Sequence, residues 1–161
     1  EKIIKSLISN NIFTFVSDPN TDPGNKGILE IIEKYKYDGK FYFFKNLDRQ
    51  NFISLFKNAE FIIGNSSAGI IEAPSIPIPT INVGDRQKGR FSVGNVIYVK
   101  NEYGLICQAI NKALSKKFKD SICNIKNPYG NGKSTELTMQ YIKNTNFKKY
   151  LRKTEDPLAI K

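Results

Sequence analysis

Histidine is missing altogether from the 161 residues. Imidazole is the side chain most often used to move protons near neutral pH and to hold zinc, so those mechanisms lose their customary residue in this chain. Only two cysteines occur, Cys107 and Cys123. They are too few for a disulfide framework, and there is no basic-then-apolar leader with a small-residue cleavage site, so reduced thiols and a cytoplasmic location are expected. No apolar run approaches the roughly 18 to 20 residues of a membrane-spanning helix, so a soluble protein with no membrane partner is expected. Arginine is scarce, which gives weight to any place where two occur together. Internal repeats, linkers and low-complexity segments of useful length are also lacking. The initiator methionine is absent too: the chain opens on Glu1-Lys2-Ile3-Ile4, with Ile3, Ile4, Leu7 and Ile8 already on one helical face. This suggests a fragment or processed domain with a functional part upstream.

What is present is a globular composition, 40% hydrophobic and 12% aromatic, at a length that suits one well-formed core and leaves no room for a second independent domain. The net charge of +10 raises a nucleic-acid hypothesis, because clustered lysines and arginines release counterions from a phosphate backbone. The lysines are scattered over the chain, however, and a solvated basic surface is the simpler account. A basic nucleic-acid-binding module is kept only as an alternative.

Apolar periodicity alternates between strand and helix. Strands are predicted over 12–16, 40–44, 60–63, 79–83 and 96–99, and helices over 27–35, 48–58, 68–73, 102–115 and 134–144. Strands alternating with helices imply crossover connections and a parallel sheet covered on both faces, a Rossmann-like α/β domain over residues 1–147, with 148–161 as a C-terminal arm. Ligands in such sheets sit beyond the carboxyl ends of the strands at a topological switch point.

The residues following each predicted strand are therefore the candidates. Asp18 to Asn25 reads first as an ordinary turn-rich loop, and alternatively as a place where Asn20 and Asp22 offer an amide and a carboxylate to a polar ligand. Asp48 is accounted for as a helix N-cap, with Asn51 at the reciprocal position; the backbone at Leu47 remains available to a planar base edge. The most informative segment is FIIGNSSAGIIEAPSIPIPTINVGDRQKGR, residues 61–90. It reads as strand, polar turn, short helix stopped by Pro74, strand, and a loop with two arginines. A helix starting at a strand's carboxyl end offers unpaired N–H groups and a positive dipole end, to which Ser66 and Ser67 add hydroxyl donors. Glu72 is either an exposed surface carboxylate or an acceptor for a pair of ribose hydroxyls. Arg86 and Arg90 are either surface charges or bidentate phosphate ligands. Gly-Lys-Ser at 132–134 imitates the end of a phosphate loop, but the first glycine of that motif would stand at Asn127, and a turn capped by Ser134 or Thr135 explains it better.

Two segments, Gly64-Asn65-Ser66-Ser67-Ala68-Gly69-Ile70-Ile71-Glu72-Ala73-Pro74 and Ile81-Asn82-Val83-Gly84-Asp85-Arg86-Gln87-Lys88-Gly89-Arg90, resemble the C-terminal domain of UDP-N-acetylglucosamine 2-epimerases, the hydrolysing branch more closely than the non-hydrolysing one. Pro19-Asn20-x-Asp22-x-Gly24 and Tyr129-Gly130-x-Gly132 are similar to that family as well, so the resemblance covers nearly the whole chain. It implies one half of a GT-B-type two-domain enzyme, with the N-terminal half absent from this chain and most catalytic acid/base residues outside it. It further implies UDP bound by Ser66 and Ser67 at the diphosphate, Glu72 at the ribose, Leu47 at the uracil, and Asn20 and Arg86 elsewhere on the nucleotide sugar. No metal or redox cofactor is implied. The implied partners are a UDP-sugar, the N-terminal half and, at full length, further copies in a homo-oligomer. The implied reaction hydrolyses UDP-N-acetylglucosamine to UDP and N-acetylmannosamine through a glucal, a step toward sialic-acid-type sugars. A diacetamido sugar is an alternative substrate within the family, and a UDP-sugar glycosyltransferase on the same fold is a rival outside it.

Overall fold

The computed structural model describes residues 1–21 and 24–150. Asp22 lies outside the described residues. The chain divides into two compact units, residues 1–128 and the residues from 129 on.

In the first unit, α1 (Lys2–Ser9), β1 (Thr14–Ser17), α2 (Asn25–Tyr35), β2 (Phe41–Phe44), α3 (Arg49–Asn58), β3 (Ile62–Gly64), α4 (Ala68–Ile71), β4 (Thr80–Val83), β5 (Val96–Val99), α5 (Tyr103–Leu114) and α6 (Lys116–Ile122) follow in order. All strand pairs are parallel, with helices on both sides. The expected sheet is present as two ladders. β1 pairs with β2 in the register Thr14–Phe41 to Ser17–Phe44, while β3, β4 and β5 form a second ladder with β4 at its centre.

One hydrophobic cluster spans both ladders. Ile4 and Leu7 of α1, Phe41 of β2, Ile81 and Val83 of β4, Ile97 of β5, and Ile106, Ala109, Ile110 and Ala113 of α5 are buried in it. Val16 of β1, Ile63 of β3, and Ile31 and Tyr35 of α2 pack against it. Strand residues alternate between faces, so this cluster defines one face, covered by α1, α2 and α5. The other face carries a smaller cluster, in which Phe52 and Phe56 of α3 meet Ile62 of β3, Ala68, Ala73, Ile76 and Ile78. Each fully buried isoleucine contributes roughly 1.5–3 kcal/mol relative to exposure.

Two helix ends differ from the sequence expectation. The helix predicted over 102–115 ends at Leu114, because Ser115 adopts an extended conformation and its Oγ accepts from the Phe118 N–H at 3.3 Å, capping α6. The charged run Lys116-Lys117-Phe118-Lys119 hides that helix from a periodicity argument. The helix predicted over 68–73 is a single turn, Ala68–Ile71, continued by a 3-10 turn at Ala73–Ser75 that contains Pro74.

In the second unit α7 spans Ser134–Asn144. It is not capped by Ser134 or Thr135 as expected. Its N-cap is Lys133, and the preceding turn is set by positive φ at Gly130 and Gly132, with Asn131 Oδ1 accepting from the Lys133 N–H at 3.3 Å.

Candidate functional site

The loops after β3 and β4 are tied together by a residue that sequence reasoning passed over. Gln87 is only 3% exposed, and its Nε2 donates to the Asn65 carbonyl at 2.9 Å, across from the Arg86 loop to the Asn-Ser-Ser turn. Its Oε1 is buried without a protein partner among the described residues. A glutamine between an arginine and a lysine reads as exposed, and no periodicity distinguishes it. Its loop is folded on itself: the Lys88 N–H donates to Asp85 O at 2.9 Å, the Arg90 N–H to Gln87 O at 3.3 Å, and Lys88 Nζ meets Asp85 Oδ1 at 2.7 Å. Gly84 and Gly89 carry φ of 86° and 84°, left-handed values that favour glycine at both corners. Buried Asn82 donates from Nδ2 to Gly84 O at 2.9 Å and holds the first corner. Arg86 and Arg90 are exposed on this loop.

The turn after β3 is seated from below. Gly69 O accepts from Thr80 Oγ1 at 3.0 Å and from Asn95 Nδ2 at 3.2 Å, both buried. α4 lies so close to β4 that a Cβ at Gly69 would stand 2.4 Å from Thr80 Cγ2. Ser66 is exposed and its Oγ accepts from the Ala68 N–H at 3.3 Å; Ser67 is half-buried at the N-cap of α4. The helix start expected at this turn is a single helical turn, so the polar groups that the two loops present are turn N–H groups, serine hydroxyls and guanidinium. Asn127 fastens the far end, its Nδ2 donating to Ile71 O at 2.8 Å and Ser75 Oγ at 2.6 Å.

Glu72, at the end of α4, is partly shielded and paired: Arg49 Nη1 lies 2.5 Å from Glu72 Oε2, with 30% of the glutamate side chain exposed. Sequence reasoning missed Arg49, which reads simply as the first residue of a helix. The pair joins α4 to the start of α3, beside half-buried Leu47. Asp48 caps α3 as expected: Oδ1 accepts from the Asn51 N–H at 2.9 Å and Oδ2 from Asn51 Nδ2 at 2.6 Å. These hydrogen bonds, the backbone one foremost, hold its carboxyl below the usual aspartate range.

Ser66 and Ser67 thus lie on the loop after β3 and Arg86 and Arg90 on the loop after β4, joined by the Gln87 bond, and the Arg49 pair ties Glu72 to the start of α3, which follows Leu47 in the chain. Asn20 is exposed beyond the end of β1, its carbonyl accepting from Asn25 Nδ2 at 3.3 Å. Asn20 and Leu47 belong to the β1–β2 ladder, a separate ladder from that of the serines and arginines. A shallow groove of about 270 Å³ lies beside Leu47, lined by Phe15, Tyr42, Phe44, Asn51 and Leu55 among others. Among the described residues no group of three or more histidine, cysteine, aspartate or glutamate side chains is arranged to hold a metal ion, and no helix is long and apolar enough to cross a membrane.

A parallel α/β sheet with polar loops at its carboxyl edge is the architecture of nucleotide-binding domains. The family model described as UDP-N-acetylglucosamine 2-epimerase matches residues 1–143, and the chain belongs to that family. It is 36% identical over 144 residues to a protein of Legionella pneumophila named UDP-N,N'-diacetylbacillosamine 2-epimerase (hydrolyzing), covering 89% of this chain and 37% of that one. It is 39% identical over 128 residues to the GDP/UDP-N,N'-diacetylbacillosamine 2-epimerase (hydrolyzing) of Campylobacter jejuni, covering 75% and 33%. The crystal structure of Methanocaldococcus jannaschii UDP-GlcNAc 2-epimerase in complex with UDP-GlcNAc and UDP superposes with a TM-score of 0.73 at 25% identity, over 89% of this chain and 39% of that one. The chain therefore spans little more than a third of the length of these relatives.

Proposed function

We propose that this chain is the C-terminal, UDP-holding half of a two-domain, hydrolysing UDP-sugar 2-epimerase. The observation that carries the reading is the Gln87 strut, which fixes the Arg86 loop against the Asn65-Ser66-Ser67 turn at the carboxyl ends of adjacent strands. Hydroxyl donors and a guanidinium fork on two loops joined in this way suit a diphosphate, whose charge-assisted hydrogen bonds are about twice as strong as neutral ones. Glu72 then accepts from the ribose hydroxyls and the backbone at Leu47 meets the uracil, with Asn20 reaching another part of the nucleotide sugar. Asp22 and Arg90 remain additional candidates by position.

In the proposed reaction the proton at C2 of the sugar is removed, the C1–O bond to UDP breaks with UDP leaving, and the resulting 2-acetamidoglucal adds water across its double bond. UDP and the 2-epimeric free sugar are the products. This chain contributes by holding the leaving group, and the groups that move the C2 proton are expected mainly in the N-terminal half of a longer enzyme, working as a homo-oligomer. The names of the Legionella and Campylobacter relatives favour a second reading of the sugar, a diacetamido sugar in place of N-acetylglucosamine.

The test uses the full-length protein. Calorimetric titration with UDP is expected to show Ser66→Ala and Glu72→Ala each weakening affinity about tenfold or more, the size of one lost hydrogen bond to a charged group; unchanged affinity in both overturns the site. Incubation with each UDP-sugar and no acceptor is expected to release UDP and the free epimerised sugar. Strict dependence on an acceptor overturns the hydrolysing assignment in favour of a glycosyltransferase.

A further inference from the structure

Two buried amides reach across to the serine turn, and each is only half used. Gln87 and Asn95 both stand on the connection from β4 to β5 and are 3% and 0% exposed. Gln87 Nε2 donates to Asn65 O at 2.9 Å, and Asn95 Nδ2 donates to Gly69 O at 3.2 Å. These acceptors bracket Ser66, Ser67 and Ala68, the stretch that leads from β3 into α4. A backbone carbonyl can only accept, so each side chain must turn its NH2 toward the turn and its oxygen away. Both oxygens, Gln87 Oε1 and Asn95 Oδ1, are then buried without a hydrogen-bond partner. No other buried side-chain nitrogen or oxygen among the described residues is left so.

Fold stability does not account for this pair. A buried acceptor without a partner costs the full desolvation of that group, which is at least what a typical neutral hydrogen bond returns. The bonds gained are also replaceable. Asn65 is exposed, so withdrawing the Gln87 amide opens its carbonyl to water, and Gly69 O keeps the Thr80 hydroxyl at 3.0 Å when the Asn95 amide is withdrawn. An apolar side chain of similar length at position 87 would fill the space, remove an orphaned oxygen and strand no backbone group. It would not fix register. Apolar contact is non-directional, whereas a hydrogen bond sets both a distance and an angle. Local choices that work against the fold are expected where function requires them.

We infer that Gln87 and Asn95 form a paired latch that holds the Asn65–Gly69 segment in register for the diphosphate, at a net cost to the stability of the fold. The latch rests on the UDP reading of the serine turn. Its own feet are tied down: the Thr80 N–H donates to Asn95 O at 2.8 Å, and the Arg90 N–H donates to Gln87 O at 3.3 Å. Arg86 directly precedes Gln87, so the amide that grips the turn also fixes where the arginine side chain begins. Buried as they are, both amides act through Ser66, Ser67 and Arg86, as positioning residues. Since they hold the two ends of one short segment, withdrawing either frees it, and withdrawing the second adds little. That is a coupling of the two positions in ligand affinity.

Two measurements on the full-length protein test the latch. In residue-resolved hydrogen exchange without nucleotide, Gln87→Met and Asn95→Ala are each expected to speed exchange of the Ile70 and Ile71 amides, which both donate to Ser67 O, about tenfold or more. Amides of β4 and β5 are expected to keep their protection. Equal loss in both places, or no change at Ile70 and Ile71 in either variant, overturns the inference. In calorimetric titration with UDP, each variant is expected to bind about tenfold more weakly. The double variant is expected to lose about tenfold to thirtyfold, short of the roughly hundredfold that independent positions give. Gln87→Met is expected to melt at an unchanged or higher temperature. A melting temperature lowered by several degrees, full additivity, or unchanged UDP affinity in both single variants overturns the inference. Asn95→Val, which refills the volume without a donor, takes the place of Asn95→Ala if the latter does not fold. Failure of the UDP reading shows separately, as no UDP binding by the unchanged protein while the exchange response at Ile70 and Ile71 persists.

Discussion

Gly69→Ala tests how the candidate phosphate turn is seated. The added Cβ would lie 2.4 Å from Thr80 Cγ2 and 3.3 Å from Thr80 Oγ1, far inside the roughly 3.5–4.0 Å optimum for carbon pairs. Thr80 cannot swing away freely, since it is 4% exposed and its hydroxyl donates to Gly69 O at 3.0 Å. Overpacking of this kind costs about 1–3 kcal/mol, and replacing glycine by alanine in a helix returns roughly 0.5–1 kcal/mol. The net loss is then on the order of 1–2 kcal/mol, read as a lower urea midpoint with an unchanged slope. Thr80→Ser removes the offending methyl while keeping the hydroxyl, at a cost of about 1 kcal/mol for the buried group. In the double variant the alanine methyl occupies the vacated space, so its stability should be no worse than that of the weaker single variant, a coupling of about 1 kcal/mol. Additive losses would refute the reasoning, since they would mean that the contact with Thr80 is not what requires glycine at this position.

Replacing Gln87 with leucine is expected to keep most of the packing but lose the bond to Asn65 O; UDP affinity of the full-length protein should fall about tenfold by calorimetry, with Gln87→Met behaving alike. The Arg49–Glu72 pair is 69% exposed on the arginine side, so Arg49→Ala should change UDP affinity by no more than about fivefold, while Glu72→Gln, which removes the acceptor proposed for the ribose, should cost about tenfold or more. Asp48, whose carboxyl titrates below the usual range because its charged form caps α3, stabilises the fold above the unfolded aspartate pKa and loses that contribution as pH falls through the lower, folded value. Asp48→Asn, also a good cap, should flatten that part of the acid limb in a melting-temperature series from neutral to acid pH.

The fold was legible because the apolar runs are regular. Lys40 to Phe44 and Pro79 to Val83 are short β-rich segments bounded by polar turns, and the structure places β2 and β4 within them. α6 was illegible because its first turn is nearly all lysine, leaving a cap at Ser115 as its one local signal. The candidate site divides in the same way. Serines and arginines after strand ends declare themselves by residue type, whereas Gln87 and Arg49 matter through the residues they touch, Asn65 O and Glu72 Oε2. Those contacts join positions 22 and 23 residues apart, which no local pattern encodes. The split of the sheet into two ladders was likewise hidden, since each strand reads alike whether its neighbour is present or not.

The shortness of α4 changes what a diphosphate would meet. A long helix would offer a dipole worth about 0.3–1 kcal/mol toward an anion near its first turn, but α4 has four residues and is broken by Pro74. Each hydrogen bond from a neutral or charged donor to a phosphate oxygen contributes about 1.5–3 kcal/mol, so two hydroxyls and one guanidinium outweigh the dipole several times over. Those donors stand in an exposed loop and turn, positioned by buried Gln87, Asn82, Thr80 and Asn95. Salt should therefore weaken UDP affinity mainly through Arg86. An Arg86→Gln variant of the full-length protein should show both lower affinity and a shallower dependence on sodium chloride between about 50 and 500 mM, a range over which the screening length shortens several-fold. Retention of the full salt dependence in that variant would place the charge recognition on another cation.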